Sequence, residues 1–396
     1  MSINRYYKIG IDCRFWGIIH TGLGRYTKEL ILAIIKVLEK ENWKINNSLV
    51  SLTLFFQKEN WQNDIYLSNK CKIIKIEAPH YSLKEQLKFG RIIDQEKLDL
   101  VHFTHFNVPF FLKTPFVVTI HDLIKHFFRG QSVTTRFLPI YWLKYWGYRI
   151  VIDKAIKKSK YIFTPSKFVA NQLKDYYSTS TAKIRVTYEG VADVYKNNNR
   201  TATGADEVLN RYQLKRPFFI YTGNAYSFKN LTTLLKAIKA INHKTQKITL
   251  LIACGRSIFW ERLSRQVKEY NLEKMVVLPG LVSDNDLRIL YRQAVAFVNP
   301  SLMEGFGLPG LEAMASGCPV IAAKAGSLPE IYAEGAIFFE AQNILELAQK
   351  IMETLHLSPA GRKRLIDNGI KQAQKYSWEK TARETILVYK KILMKN

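Results

Sequence analysis

Short apolar runs alternate with longer stretches of helical periodicity along almost the whole chain. Runs that are apolar at nearly every position are typical of parallel strands buried on both faces. Residues 100–103, 116–120 and 294–298 are such runs. We predict further strands at residues 7–12, 50–56, 72–76, 161–164, 184–188, 218–222, 247–253, 275–278 and 319–322. The stretches between them predict helices, so the pattern predicts an α/β protein.

A polar run at residues 196–207, which includes three consecutive asparagines, interrupts the alternation. Strands and helices restart after it, as expected for two α/β domains joined by a linker. We predict a first domain at residues 1–195, a linker at 196–215, a second domain at 216–376 and a terminal helix at 377–396.

The composition is that of a globular protein with a substantial core, since 47% of the 396 residues are hydrophobic. No uncharged apolar run approaches the ~18 residues that a membrane-spanning helix needs. The first residues carry no apolar leader, so we expect a cytoplasmic protein without a signal peptide. The cysteines have neither paired nor zinc-like spacing, and we expect reduced, structural thiols at Cys13, Cys71, Cys254 and Cys318.

The net charge of +26 favours an anionic partner such as nucleic acid, a phospholipid surface or a phosphorylated substrate. Residues 113–167 hold eleven Lys and Arg against two Asp, and residues 127–148 interleave eight aromatic side chains with that charge. Two interpretations of residues 127–160 stay open: an interfacial membrane contact, or a core helix with solvated lysines. Specific nucleic-acid binding is disfavoured, because no recognition helix, zinc finger or RNP-type strand accompanies the charge.

Residues 299–330 form the stretch with the most chemistry, a predicted strand, loop, short helix and strand. Glu304 lies in the loop and Glu312 in the first turn of the helix, both facing the carboxyl edge of the sheet where open α/β folds bind ligands. Free N–H groups around Gly307 and Leu308, together with the helix dipole, favour a phosphate. The two carboxylates instead suit sugar hydroxyls, from which they can accept hydrogen bonds. The combination predicts a nucleotide-sugar site.

Five other candidate residues lie at or near strand ends or helix starts. Gly22 and Gly24 open a helix that follows the first strand, and their small size permits close approach of a ligand. His121 directly follows an apolar strand, and His105 is a weaker candidate. Lys229 precedes a helix, where its ammonium group can stabilise a leaving diphosphate. Each of these residues alone also has an ordinary structural explanation.

The motifs P-S-x-x-E-G-F-G-L-P and A-x-x-x-G-x-P-V-I in residues 300–321 resemble the E-x7-E signature of the group 1 (family four) retaining glycosyltransferases of the GT-B fold. The segments G-x-G-R-Y, V-V-T-I-H-D-L, T-P-S-K-F and G-N-x-x-x-x-K-N-L are similar to further segments of that family and occur in the same order. The resemblance implies two Rossmann-like domains facing across a cleft, with the terminal helix crossing back to the first domain.

The resemblance also implies the reaction, which is transfer of a hexose from a nucleoside diphosphate sugar to an acceptor hydroxyl with retention. No metal or cofactor is implied. The acceptor is expected to be a glycan or lipid-linked glycan of cell-surface polysaccharide synthesis, at an anionic inner membrane surface. Catalytic roles are implied for His121, Lys229 and Glu304. Donor binding is implied for Gly22, Gly24, Asn224, Lys229, Glu304, Gly305, Phe306, Gly307, Leu308 and Glu312.

One position departs from the family pattern, since Asn224 stands where many members carry arginine. One of the usual two cations facing the phosphates is then missing, and Lys229 or the glycine loop of the first domain has to contribute more. The G-N-x-x-x-x-K-N-L variant favours GDP-mannose as the donor. Two other functions stay open, a nucleotide-sugar epimerase of the same fold and a non-catalytic basic protein that binds membrane or nucleic acid.

Overall fold

The computed structural model describes residues 6–17, 21–45, 47–57, 65–78, 80–82, 84–130, 134, 137–196, 204–242 and 248–394. The chain divides into two compact units. The first unit consists of Met1–Leu123, Phe137–Gly190 and Ser377–Asn396, and the second of Ile124–Arg136 and Val191–Tyr376. This division lies a few residues before the predicted end of the first domain.

The strands form two separate sheets, one in each unit. In the first unit they are β1 (Tyr6–Asp12), β2 (Lys44–Ile45), β3 (Ser48–Gln57), β4 (Lys72–Ile76), β5 (Leu100–Phe103), β6 (Phe116–Thr119), β7 (Ile162–Thr164) and β8 (Ile184–Val186). In the second unit they are β9 (Phe218–Thr222), β10 (Thr249–Ala253), β11 (Val276–Val277), β12 (Phe297–Asn299), β13 (Val320–Ala323) and β14 (Ala336–Phe339).

Both sheets are essentially parallel, as the continuous apolar runs predict. The first has the order β2-β3-β1-β5-β6-β7-β8, with β4 also paired to β3, and only β2 is antiparallel to its neighbour. The second has the order β11-β10-β9-β12-β13-β14. Every residue of β5, β6, β9 and β13 is buried. Helices must therefore cover both faces of each sheet, which confirms the α/β prediction.

The helices fill the connections between strands. They are α1 (Thr21–Lys40), α2 (Ile65–Lys70), α3 (Gly90–Gln95), α4 (Ile124–Phe127), α5 (Leu138–Lys158), α6 (Lys167–Tyr177), α7 (Asp193–Lys196), α8 (Ala205–Arg211), α9 (Leu231–Asn242), α10 (Ile258–Glu269), α11 (Asp284–Gln293), α12 (Leu308–Ala315), α13 (Leu328–Tyr332), α14 (Ile344–Leu355), α15 (Pro359–Ala373) and α16 (Trp378–Leu393). A π-helical turn, Glu85–Phe89, leads into α3. No helix in the described ranges combines the length and hydrophobicity that crossing a bilayer requires.

Part of the predicted linker is helical. Residues 204–215 contain α8, whose Arg211 donates to Asp286 on α11 at 2.7 Å. Residues 197–203, most of the polar run, lie outside the described residues. The cysteine prediction is confirmed, since all four thiols are free and buried. Burial raises the pKa of the Cys71, Cys254 and Cys318 thiols to about 12, which keeps them protonated.

The terminal helix α16 belongs to the first unit, as predicted. It packs along α1, and Trp378, Val388 and Tyr389 join the same hydrophobic core as strands β1 and β3. The Tyr7 hydroxyl donates to the Leu393 carbonyl at 3.4 Å, and the Thr381 hydroxyl donates to the carbonyl of Tyr188. The first unit is thus built from chain segments at both ends of the sequence.

A buried histidine on β5 ties α16 to the sheet. His102 is 0% exposed, and its two ring nitrogens hydrogen-bond with the Tyr389 hydroxyl at 2.6 Å and the Thr119 hydroxyl at 2.9 Å. Burial, and then the neighbouring His121, lower the pKa of His102 to about 3. His102 therefore stays neutral in the folded protein over the whole physiological range.

The burial of neutral His102 predicts that the folded protein loses stability in acid. The unfolded-state pKa of histidine is about 6.5, so below that pH the unfolded chain binds a proton that the folded chain does not. Stability contributed by neutral His102 should be complete above pH ~6.5 and fall by about 1.4 kcal/mol per pH unit toward pH ~3. Urea titrations of wild type and His102→Gln at several pH values check this. Equal pH slopes in the two proteins would contradict the assignment.

Candidate active site

The carboxyl edge of the second sheet brings three loops together. Strands β9, β12 and β13 are neighbours, and they end at Thr222, Asn299 and Ala323. Residues 223–230, 300–307 and 324–327 follow these ends and so meet at one edge. The predicted strand at 294–298 is β12, which ends at Asn299 as the polar residues there indicate.

Lys229 and Glu304 form an ion pair at this edge. Lys229 Nζ donates to Glu304 Oε1 at 2.6 Å, and the hydroxyl of Ser301 donates to the same oxygen at 2.7 Å. The side chains of Lys229 and Glu304 are only 14% and 13% exposed. A partly buried, charge-assisted pair of this kind has a defined geometry, unlike a surface salt bridge.

Backbone contacts hold the two loops that carry this pair. Asn230 adopts a left-handed conformation with φ +56°, and its Nδ2 donates to the carbonyls of Pro300 at 3.1 Å and Ala341 at 2.7 Å. The Leu302 N–H donates to the Phe228 carbonyl at 2.8 Å. These bonds fasten the start of α9 to the end of β12, so the position of Lys229 relative to Glu304 is determined by the fold.

Gly307, directly before α12, has a backbone conformation that favours glycine. Its φ is +93°, and a Cβ there would lie 2.6 Å from Leu328 Cδ2 and 2.7 Å from the Tyr332 hydroxyl. That hydroxyl donates to the Gly307 carbonyl and accepts from Asn299 Nδ2 at 3.2 Å. The loop therefore enters the helix on one fixed path, with Leu308 and Pro309 in the first turn.

Glu312 lies on α12 and is 4% exposed. Burial, followed by the negative charge of Glu304 and more weakly that of Glu312, raises the pKa of Tyr332. The two carboxylates of the E-x7-E pattern thus both raise the pKa of one buried hydroxyl, that of Tyr332. Glu312 lies on this helix as predicted, but in its second turn and not in its first. It is also much more buried than a solvated helix residue.

The third loop packs tightly on the backbone of Glu304. Gly326 has φ +59°, and a Cβ there would lie 2.6 Å from the Glu304 nitrogen. The Ser327 N–H donates to the Glu304 carbonyl at 3.2 Å. Phe306 next to Gly305 is buried, with its ring edge-on to Tyr376 at 5.6 Å between centroids. The loop at residues 300–307, which carries Glu304, therefore packs against Gly326 and Ser327 and also against Tyr376.

Asn224 is engaged within its own loop. Its Oδ1 accepts from the Tyr226 N–H at 3.3 Å, and its carbonyl accepts from the Tyr221 hydroxyl at 2.8 Å. Gly223 precedes it with φ +149°. In this arrangement Asn224 shapes the turn that leads to Lys229.

In the first unit, His121 follows β6, and each of its ring nitrogens faces an oxygen atom of that unit. Its Nε2 lies 2.9 Å from the Thr104 carbonyl, which can only accept, so this nitrogen carries the proton. Its Nδ1 lies 3.5 Å from Glu189 Oε1, and the Tyr26 ring packs edge-on at 4.5 Å between centroids. The ring orientation of His121 is therefore set by the protein.

The other candidates of the first unit have structural surroundings. His105 is buried between aromatic rings, 3.9 Å from the Phe106 centroid and 4.7 Å from that of Phe15. Gly24 lies in the first turn of α1, where a Cβ would be 1.9 Å from the Gly17 carbonyl oxygen. At Gly22 a Cβ would meet no atom of the described residues within 4 Å. Close packing of the chain on itself explains Gly24, whereas no such packing by the described part of the chain explains Gly22.

Three residues of these surroundings were not among the sequence candidates: Ser301, Tyr332 and Glu189. Ser301 stands three residues before Glu304 in the P-S-x-x-E motif, a spacing that suits a local side-chain bond. Glu189 lies 68 positions from His121, and Tyr332 lies 33 positions from Asn299, so no local pattern indicates either contact.

The sequence matches two family profiles that cover most of the chain. The profile "Glycosyl transferases group 1" matches residues 207–372, and the profile "Glycosyltransferase Family 4" matches residues 54–193. The chain belongs to the group 1 glycosyltransferases. The family resemblance drawn from the motifs is thereby confirmed.

This group 1 glycosyltransferase is similar to a curated bacterial enzyme over almost its whole length. It is 27% identical over 386 residues to O-antigen chain mannosyltransferase B of Escherichia coli, covering 93% of this chain and 96% of the relative. The alignment with this relative covers more of the chain than either profile does.

Solved structures share the fold. Sucrose-phosphate synthase from Thermosynechococcus elongatus has a TM-score of 0.77 at 20% identity, covering 98% of this chain and 100% of that one. Anabaena HepE, solved in complex with UDP and glucose, has a TM-score of 0.71 at 15% identity, covering 97% and 99%. The chain therefore has the GT-B fold of these glycosyltransferases, as predicted.

Proposed function

We propose that this glycosyltransferase moves a hexose from a nucleoside diphosphate sugar to a hydroxyl of a glycan or lipid-linked acceptor, with retention at the anomeric carbon. The observation that carries the proposal is the ion pair of Lys229 and Glu304 at the sheet edge, beside the start of α12. A cation and a helix N-terminus suit the diphosphate, and carboxylates suit the hydroxyls of the sugar.

Each group at the second sheet has a role in binding the donor. Lys229 and the N–H groups near Gly307 and Leu308 hold the diphosphate. Glu304 accepts from sugar hydroxyls, because a carboxylate has about four lone-pair sites and the bonds from Lys229 and Ser301 do not saturate it. Glu312 accepts from the ribose. Gly223, Asn224, Gly305 and Phe306 shape the walls through their backbone positions.

The first unit supplies the groups for the transferred sugar and the acceptor. His121 contacts the sugar, and its fixed ring orientation against Thr104 and Glu189 suits a positioning contact. Gly22 and Gly24 at the start of α1 provide N–H groups for the donor phosphates or the acceptor.

The chemical step is a front-side displacement. The bond from the anomeric carbon to the diphosphate breaks, the bond to the acceptor oxygen forms on the same face, and a diphosphate oxygen takes the acceptor proton. Lys229 stabilises the charge that develops on the leaving diphosphate. Because the protein's own cation and N–H groups do this, we propose that the reaction needs neither a metal nor a cofactor.

GDP-mannose is the proposed donor. The G-N-x-x-x-x-K-N-L variant favours it, and the E. coli relative is named a mannosyltransferase of O-antigen chains. The same name supports a place in cell-surface polysaccharide synthesis. We propose that the enzyme works on the cytoplasmic side, peripheral to the inner membrane, where lipid-linked glycans are presented.

A thermal-shift panel of GDP, UDP, ADP and their common sugars tests the donor site. One nucleotide is expected to stabilise the wild type by about 2.7 kcal/mol at a hundredfold excess over Kd. Glu312→Ala should lose most of that stabilisation, because the ribose loses its acceptor. The matched control is Glu273→Ala, an exposed glutamate of the same unit, which should respond like wild type.

The outcome of this panel distinguishes the possible donor nucleotides and tests the site assignment. A shift with GDP and GDP-mannose supports the proposed donor, whereas a shift with UDP or ADP sugars replaces it. If no nucleotide raises the melting temperature, the site assignment is wrong. Release of an epimerised sugar nucleotide without transfer to an acceptor would overturn the proposed reaction.

A further inference from the structure

Helix α5 of the first unit is apolar on two opposite sides. One side packs into the core through Tyr145, Tyr148, Ile152, Ala155 and Ile156. These buried residues are only some of the apolar residues of this helix. The core-helix interpretation of residues 127–160 accounts for the buried face alone, and the membrane interpretation remains a prediction for the second face.

The second face, here called the α5 outer face, is exposed. Leu143 is 76% exposed, Trp146 62% and Ile150 56%, and they follow one another at steps of three and four residues along the helix. Phe137 at 73% and Ile140 at 50% extend the row toward the start of the helix. Single exposed apolar residues are common, but a row of large ones on one face indicates a partner.

The outer face continues beyond α5 onto the loop after β5. Lys154 Nζ lies 3.3 Å from the centroid of the Phe110 ring and 5.8 Å from that of Phe111. Phe111 is 67% exposed. The apolar surface therefore spans the helix length of about 30 Å and ends on a neighbouring loop. An elongated surface of this kind suits a broad, flat partner better than a compact ligand.

The charge around the outer face identifies the kind of partner. Residues 137–160 contain one acidic side chain, Asp153, which pairs with Lys157 at 3.0 Å. Against it stand six basic residues, Lys144, Arg149, Lys154, Lys157, Lys158 and Lys160. Large apolar side chains with tryptophan at the boundary, and lysines beside them, are the pattern of a helix that lies in the surface of an anionic bilayer.

We propose that α5 binds an anionic lipid bilayer along its outer face. Phe137, Ile140, Leu143, Trp146 and Ile150 enter the boundary between headgroups and acyl chains, and the flanking lysines contact lipid phosphates. A second copy of the chain is disfavoured as occupant, because the same basic residues would face each other across a twofold contact. This inference rests on the peripheral membrane location proposed above and assigns the membrane contact to one helix, although the contact itself requires neither a donor nor an acceptor.

Vesicle flotation of the full-length chain tests the proposal. Vesicles of phosphatidylcholine with about one third phosphatidylglycerol are expected to bind the wild type, and pure phosphatidylcholine at least about tenfold more weakly. Binding should also weaken as salt rises. The double variant Leu143→Ser/Trp146→Ser should bind anionic vesicles at least about tenfold less, because two large apolar side chains no longer leave water.

The chain offers a matched control in Leu345 on α14, which is also 76% exposed but belongs to the second unit. Leu345→Ser should bind vesicles like wild type. Equal loss in both variants, or no wild-type binding to anionic vesicles, overturns the proposal. Concentration-dependent dimers that disappear in Leu143→Ser/Trp146→Ser would assign the face to a second copy instead. Because the assay contains no sugar nucleotide, its failure is distinct from failure of the proposed transferase reaction.

Discussion

Replacement of Lys229 by methionine is expected to lower kcat about 10²–10³-fold, a loss comparable to that of removing one hydrogen-bond donor from an oxyanion hole. Methionine retains much of the lysine stem but removes the ammonium group that lies 2.6 Å from Glu304. Without it, the Glu304 carboxylate faces the arriving diphosphate uncompensated, so KM for the donor should rise as well. Steady-state kinetics with donor and acceptor varied separately measure both effects.

Two further variants make this test specific. Lys236→Met changes an exposed lysine of α9 in the same unit and should leave kcat within about twofold of wild type. Lys229→Met combined with Glu304→Gln should cost less than the two single effects added, because the residues are in contact. A Lys229→Met enzyme with nearly normal kcat would remove lysine from the proposed mechanism and leave the diphosphate to the N–H groups of α12.

Replacement of Gly307 by alanine is expected to lower stability by about 3 kcal/mol. A left-handed conformation costs a residue with a Cβ about 1–2 kcal/mol, and overpacking a tight site costs a further ~1–3 kcal/mol. Both apply here, since φ is +93° and the new Cβ would lie 2.6 Å from Leu328 Cδ2. For a unit of this size the melting midpoint should fall by roughly 6–12 °C.

Replacement of Gly317, at the end of α12, separates the conformational cost from the cost of crowding. Its φ is +79°, but the nearest atom to a Cβ there is 3.7 Å away. Gly317→Ala should therefore cost only the conformational part, about 1–2 kcal/mol. If both alanine variants lower the midpoint equally, crowding at Gly307 contributes nothing. Differential scanning calorimetry measures the midpoints, and nucleotide-induced shifts of Gly307→Ala show whether the phosphate site is lost with the fold.

Local patterns predict the sheets and the E-x7-E helix well. The short, nearly continuous apolar runs at β5, β6 and β9 are typical of strands buried on both faces, and these strands are parallel and central as expected. Pro309 and Gly317 bracket α12 for backbone reasons that act within one helix turn at each end. The position of Glu312 on that helix follows directly.

Contacts between distant residues could not be predicted in this way. Lys229 and Glu304 are 75 positions apart, and His121 and Glu189 are 68 apart, so their distances depend on strand order and loop path. A pattern also cannot divide α5 into a core face and an outer face, because apolar residues occupy both. That division depends on which side of the helix the sheet covers.

The return of α16 to the first unit has a consequence for synthesis. Trp378, Val388 and Tyr389 complete the core around α1. The first unit therefore cannot finish folding until the ribosome has added α16, which follows the whole of Val191–Tyr376. At ~5–20 residues per second that interval is on the order of ten seconds or more. During it, the nascent chain exposes the apolar groove that α16 later fills, and a chaperone has time to occupy it.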